Sequence, residues 1–124
     1  MPTGEEQRRY PRVTAGVRVL YRGDPLERRE RQYLQGIAAD LSLGGMFLAT
    51  DRPLPVGSLV RLEFQPGVGP GENPAEEMAV TAQAVVRWRR RWRRPRGMGL
   101  EFVEFEGLGR HEFQAVMAKL LERS

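Results

Sequence analysis

A chain of 124 residues, 40% hydrophobic and 29% charged, can bury one core, which excludes a disordered tail, a membrane-spanning protein and a second domain. It has no cysteine, which removes disulfides, thiolate metal sites and cysteine nucleophiles together. A formal net charge of +4 and a pI near 10.3 favour an anionic partner: nucleic acid, a phosphorylated ligand or an acidic protein.

Residues 1–12 are polar and charged, interrupted by Pro2 and Pro11, and read as a flexible arm. They contain no apolar h-region, and nowhere does an apolar run approach the roughly 18 residues of a spanning helix. The expected compartment is therefore the cytoplasm, with no membrane insertion. Residues 13–22 alternate, with Val17, Val19 and Tyr21 on one side and Arg18 and Arg22 on the other, which is the period of a strand. Gly23-Asp24-Pro25 marks a turn.

A second strand is predicted over 31–39, with Tyr33, Gln35 and Ile37 on one face and Leu34 on the other. Asp40 to Gly45 reads as a tight connection, followed by a short apolar strand, Met46-Phe47-Leu48-Ala49. Residues 58–65 alternate with Val60, Leu62 and Phe64 inward. Residues 67–76 lack periodicity and read as a loop. The longest alternation spans 77–88, placing Met78, Val80, Ala82, Ala84, Val86 and Trp88 on one inner face. Met98, Leu100 and Phe102 face inward on a last strand.

From 109 to 122 the period changes. Phe113, Val116, Met117, Leu120 and Leu121 follow the i, i+3, i+4, i+7, i+8 spacing of an amphipathic helix, best read as packing on the core. Six strands and one terminal helix suggest an antiparallel sandwich or barrel.

Two clusters carry chemistry. In Gln7-Arg8-Arg9-Tyr10-Pro11-Arg12, two arginines spaced R-x-x-x-R precede a strand. Guanidinium forks match phosphate oxygens bidentately and stack on flat bases. Alone, the segment reads equally as a solvated basic arm. In Asp40-Leu41-Ser42-Leu43-Gly44-Gly45, Asp and Ser favour turns by bonding nearby backbone, and the paired glycines permit positive φ and close approach of a ligand. A carboxylate also suits the two adjacent donors on the N–H edge of guanine. Alone, this segment reads equally as an Asx turn.

Together, R-x-x-x-R at Arg8–Arg12 and D-x-S-x-x-G at Asp40–Gly45 resemble the PilZ domain family. The segments GGMFLATDRPLPVGSLVRLEF and GMGLEFVEF are similar to its later strands, so the resemblance covers roughly residues 7–106. It implies a six-stranded antiparallel β-barrel over 13–106, with the arm at 1–12 and a C-terminal α-helix at 107–124, forming one domain. It implies a receptor for the bacterial second messenger cyclic di-GMP. Arg8 and Arg12 would contact phosphates and stack beside guanines, with Arg9 an extra contact. Asp40 and Ser42 would hydrogen-bond guanine, and Gly45 would keep the surface free of bulk. Gln7, just before the first arginine, stands where the family's ligand stoichiometry is influenced.

Other features point to no chemistry. Arg87 to Arg96 is strongly basic and carries Trp88 and Trp92, but it reads first as a strand running into a solvated hairpin tip, with Trp88 in the core and Trp92 exposed; the alternative is an electrostatic patch that attracts an anionic partner, the ligand itself included, with Trp92 stacking on a base or a partner. His111 is the only histidine and lacks companions for a metal site. Ser42 has no G-x-S-x-G setting and no evident base. No catalytic residue, no metal ligand and no cofactor is expected. The leading reading is a receptor or adaptor that orders its arm on binding cyclic di-GMP and signals through an effector protein. The alternatives are a PilZ-like interaction module without ligand, or a basic nucleic-acid-binding barrel.

Overall fold

The computed structural model describes residues 13–23, 33–65 and 80–106, together with residues 110, 111, 113–115, 117 and 118 of a C-terminal helix. Six strands are present: β1 (Val13–Gly23), β2 (Leu34–Leu41), β3 (Gly45–Ala49), β4 (Leu59–Phe64), β5 (Val80–Arg90) and β6 (Gly97–Phe105). Every pairing is antiparallel, and the order β1-β2-β3-β6-β5-β4 closes into a barrel. Closure leaves no free sheet edge, so all six strands are hydrogen-bonded on both sides.

The inner face follows the alternation in the sequence. Val17, Val19 and Tyr21 on β1, Val60, Leu62 and Phe64 on β4, and Val80, Ala82, Ala84 and Val86 on β5 are all buried. On β2 the inward set is Leu34, Gly36 and Ala38, while Gln35 and Ile37 face out. Tyr21 is fully buried, yet its hydroxyl is satisfied: it donates to the Arg52 carbonyl at 2.9 Å and lies 2.7 Å from Thr50 Oγ1.

The C-terminal helix closes the barrel end where β4 and β6 finish. Phe113 is fully buried and meets Phe64 and Phe102 edge-on, with ring centroids 5.6 and 5.5 Å apart. Met117, one turn on, is also buried. Val116, Leu120 and Leu121 of the expected stripe lie outside the described residues, as do the arm and the 67–76 loop.

Besides a register shift in β1 between Thr14 and Val17, three irregularities interrupt the ladders. One lies in β6 opposite Gln83 and Ala84, where Val103 is the extra residue and is exposed. The other two lie at Ala39 in β2, between the pairs Ala38↔Leu48 and Asp40↔Phe47, and at Arg87 in β5, between Val86↔Leu100 and Trp88↔Gly99. A single extra residue reverses the side from which later side chains emerge.

Candidate functional site

The Ala39 bulge explains the direction of Asp40. Ala38 faces the core, so strict alternation would send Asp40 inward as well. With one residue inserted, Asp40 turns outward and Leu41 becomes fully buried instead. Asp40 is thus the penultimate residue of β2, rather than part of the connecting turn that the sequence suggests. Its Oδ1 accepts a hydrogen bond from the Phe47 amide at 3.1 Å. It sits between β1 and β3, opposite Thr14 on one and Phe47 on the other.

The Arg87 bulge acts in the same way on β5. It turns Trp88 out of the barrel, which corrects its expected place in the core. The alternation of 77–88 breaks at Arg87, and Val80, Ala82, Ala84 and Val86 before it keep their phase, while Met78 lies outside the described residues. Outside, the Trp88 ring stacks on Phe47, with centroids 5.3 Å apart and planes 15° from parallel. Phe47 points outward because its neighbours Met46 and Leu48 both belong to the core cluster. The Arg90 guanidinium lies 5.3 Å from the Phe47 centroid and 5.8 Å from that of Trp88.

Between β3 and β5, Gly97 and Gly99 are buried and make room for the Phe47 and Trp88 rings that lie over them. A Cβ on Gly99 would fall on the Trp88 indole, and one on Gly97 would strike the Leu48 carbonyl. Asp40, Phe47, Trp88 and Arg90 therefore share one outer face across β2, β3, β6 and β5. Of these, sequence reasoning found only Asp40. The available signal was the broken alternation at Ala38/Leu41 and the pair of glycines in Gly97-Met98-Gly99.

Ser42 and Gly45 build the adjoining turn. Ser42 is 5% exposed. Its Oγ accepts from the amides of Gly44 and Gly45, both at 3.1 Å, and donates to the Gly45 carbonyl at 3.3 Å. One donor and two acceptors exhaust a hydroxyl. The Ser42 backbone amide also donates to the Gly45 carbonyl, at 2.9 Å. Ser42 thus shapes the turn, and its hydroxyl has nothing left for a ligand in this arrangement.

Gly45 must be glycine for a packing reason. A Cβ there would meet the Leu100 carbonyl of β6 and stand 3.2 Å from the Glu101 Cα, and backbone cannot yield as a side chain can. Neither Gly44 nor Gly45 uses positive φ; among the described residues only Gly57 does, at 91°. The glycine pair thus serves close strand approach, not the left-handed turn the sequence allows. Arg8, Arg9 and Arg12 lie outside the described residues.

Among the described residues no group of three or more His, Cys, Asp or Glu could hold a metal ion, and no helix is long and apolar enough to cross a membrane.

The barrel resembles two solved structures. One is the Bacillus subtilis inhibitor of motility, MotI/DgrA, with a TM-score of 0.64 and 22% identity over 99% of this chain. This chain spans 56% of that protein's length. The other is the PilZ domain of YcgR from Escherichia coli, solved with cyclic di-GMP, with a TM-score of 0.60 and 18% identity over 94% of this chain and 93% of that one. At such identities the likeness speaks for the fold alone. A search of curated protein sequences returns no match. The sequence profile of the PilZ domain, however, matches residues 6–119, nearly the whole chain, in a closed barrel with Asp40, Ser42 and Gly45 around one turn: the protein belongs to the PilZ domain family.

Proposed function

We propose that this protein is a cyclic di-GMP receptor of the cytoplasm, a binding module rather than a catalyst, which passes the signal to an effector protein. The observation that carries the reading is the outer face itself. Two bulges turn an acceptor, Asp40, and a flat aromatic, Trp88, to the same side, on either side of Phe47. Guanine needs an acceptor for its paired N–H donors and an apolar plane for its ring, and this face offers both.

The phosphates would be met by Arg8, Arg9 and Arg12. Val13, to which Arg12 is joined, pairs with Leu41, and Thr14 pairs with Asp40. The chain thus leaves the barrel beside the acidic corner, so an arm of arginines attached there starts within reach of a ligand on this face. Ordering that arm over the ligand would reshape the surface offered to an effector. Arg90, stacked on Phe47 and Trp88, adds a cation that the arm does not supply. Ser42 and Gly45 serve by holding the turn and the strand spacing that present Asp40.

Calorimetric titration with cyclic di-GMP tests the proposal, with cyclic di-AMP and GTP as controls. Saturable binding of the guanine dinucleotide alone is expected. Absence of binding, or equal binding of the adenine analogue, overturns it.

A further inference from the structure

The net charge of +4 conceals a strong asymmetry. Residues 87–96 hold seven arginines and no acid, so everything outside that stretch sums to −3. The basicity of the protein is therefore local. It sits on the β5–β6 connection, at the opposite end of the strand pair from the C-terminal helix.

Two of those arginines are engaged. Arg87 pairs with Glu101, with Nε 2.6 Å from Oε2, and Arg90 lies on Phe47 and Trp88 and donates to the Pro95 carbonyl at 3.4 Å. Residues 91–96 are all exposed, and among the described residues Arg91, Arg93, Arg94 and Arg96 form no ion pair. At the apex stands Trp92, 93% exposed, with only the Arg91 guanidinium near its ring, 5.8 Å from the centroid. Asp51 and Arg52, exposed in the neighbouring loop that bonds to Arg96 through Thr50, offset each other.

We infer that this tip docks on the surface of an anionic lipid bilayer. Indoles favour the boundary between headgroups and acyl chains, where an apolar ring with a polar N–H is half immersed. Arginines beside such an indole are drawn by anionic headgroups. Residues 91–96 are all exposed, so the indole and the arginines stand open together at this tip. The acids of the body do not oppose this approach: Glu104 lies eight residues along β6 from Arg96, roughly 25 Å at ~3.3 Å per residue, well beyond the ~8 Å over which charge acts at physiological salt.

A nucleic acid fits the same tip less well. Single strands are held in grooves that track the backbone and offer successive aromatic platforms. Here the connection bears one fully exposed indole, Trp92, while Trp88 lies back on the β5 strand, half-buried against Phe47. The docking is independent of the ligand reading, because Trp92, Arg93 and Arg94 take no part in the Asp40 face.

The test is co-sedimentation of the full chain with vesicles, either phosphatidylcholine alone or an equal mixture with phosphatidylglycerol. Binding to the mixed vesicles at low salt is expected, with none to phosphatidylcholine and release in about 1 M salt, where the screening length is about 3 Å. Arg93→Ala with Arg94→Ala should weaken partition by about fivefold per arginine. Trp92→Phe should abolish a vesicle-induced blue shift of emission that Trp88 alone does not give. Both variants alter exposed residues, and circular dichroism checks that they fold. No sedimentation, binding untouched by the double substitution, or duplex DNA held more tightly than the mixed vesicles at equal ionic strength would overturn the inference; the last would make the tip a nucleic-acid contact.

Discussion

Two outer faces of this barrel carry arginine beside an aromatic ring, and they are built to opposite ends. On the β1–β4 side, Arg22 lies 5.0 Å from the Tyr33 ring centroid, and the Tyr33 hydroxyl donates to Glu63 at 3.1 Å. Arg61 donates to the Tyr33 oxygen at 3.2 Å and pairs with both Glu106 carboxylate oxygens. Partial burial lowers the pKa of the Arg61 guanidinium, but the hydrogen bonds to Tyr33 and Glu106 and the Glu106 charge outweigh it, so the group is held above its usual value. Arg22 and Arg61 there each have an acid or an aromatic partner close by. On the β2–β3–β6–β5 side, Arg90 lies on the Phe47 and Trp88 rings, and among the described residues it forms no ion pair. The first face holds Arg61 with a carboxylate and a phenol, and the second is the one proposed to receive the ligand.

The comparison can be broken by substitution. The largest effect is expected at Gly45, whose change to Ala drives a methyl into the β6 backbone. Overpacking of this kind costs about 3 kcal/mol, a fall of roughly 10 °C in Tm for a domain of this size, read by thermal denaturation. Asp40→Ala removes an acceptor worth about 1.5–3 kcal/mol to a bound guanine. Affinity for cyclic di-GMP should drop tenfold or more in calorimetry, and preference over cyclic di-AMP should narrow; equal loss for both dinucleotides would reduce Asp40 to a support for the Phe47 amide. Arg12→Ala should lower affinity by a similar factor through the phosphates, and unchanged binding would remove the arm from the account.

Trp88→Ala takes away a stacked ring worth about 1 kcal/mol, so affinity should fall about fivefold while the inner core is undisturbed. On the other face, Arg61→Ala breaks an exposed pair worth at most about 1 kcal/mol. It should leave cyclic di-GMP affinity unchanged, and any marked loss of binding would show that the two faces had been assigned the wrong way round.

The barrel was legible in the sequence wherever alternation was strict. Val17-x-Val19-x-Tyr21, Val60-x-Leu62-x-Phe64 and Val80 to Val86 each announce a buried face by period two, and the structure buries those side chains. The helix was announced by Phe113 and Met117 at a spacing of four, and both are buried. What alternation cannot show is a residue that interrupts it. Ala39 and Arg87 carry no turn chemistry of their own, so nothing in their types says that they are the extra residues. Yet they decide that Asp40 and Trp88 face out. The D-x-S-x-x-G pattern pointed to the right turn but not to its inner workings, in which the Ser42 hydroxyl bonds Gly44 and Gly45. Gly45 looked like a cleared surface, and it is a point of strand contact. Charge was legible in amount and position, but its pairing was not. Nothing in the order of residues says that Arg61 is matched across the barrel by Glu106 while Arg93 and Arg94 stand open.

The most direct measurement follows backbone amides and the Trp88 indole N–H by two-dimensional NMR as cyclic di-GMP is added. The account predicts concerted shifts at Asp40, Phe47, Gly97, Gly99 and the Trp88 indole, with Arg61, Glu63 and Glu106 still. Shifts gathered on the Arg61 side, or a spectrum unmoved by excess messenger, would contradict it.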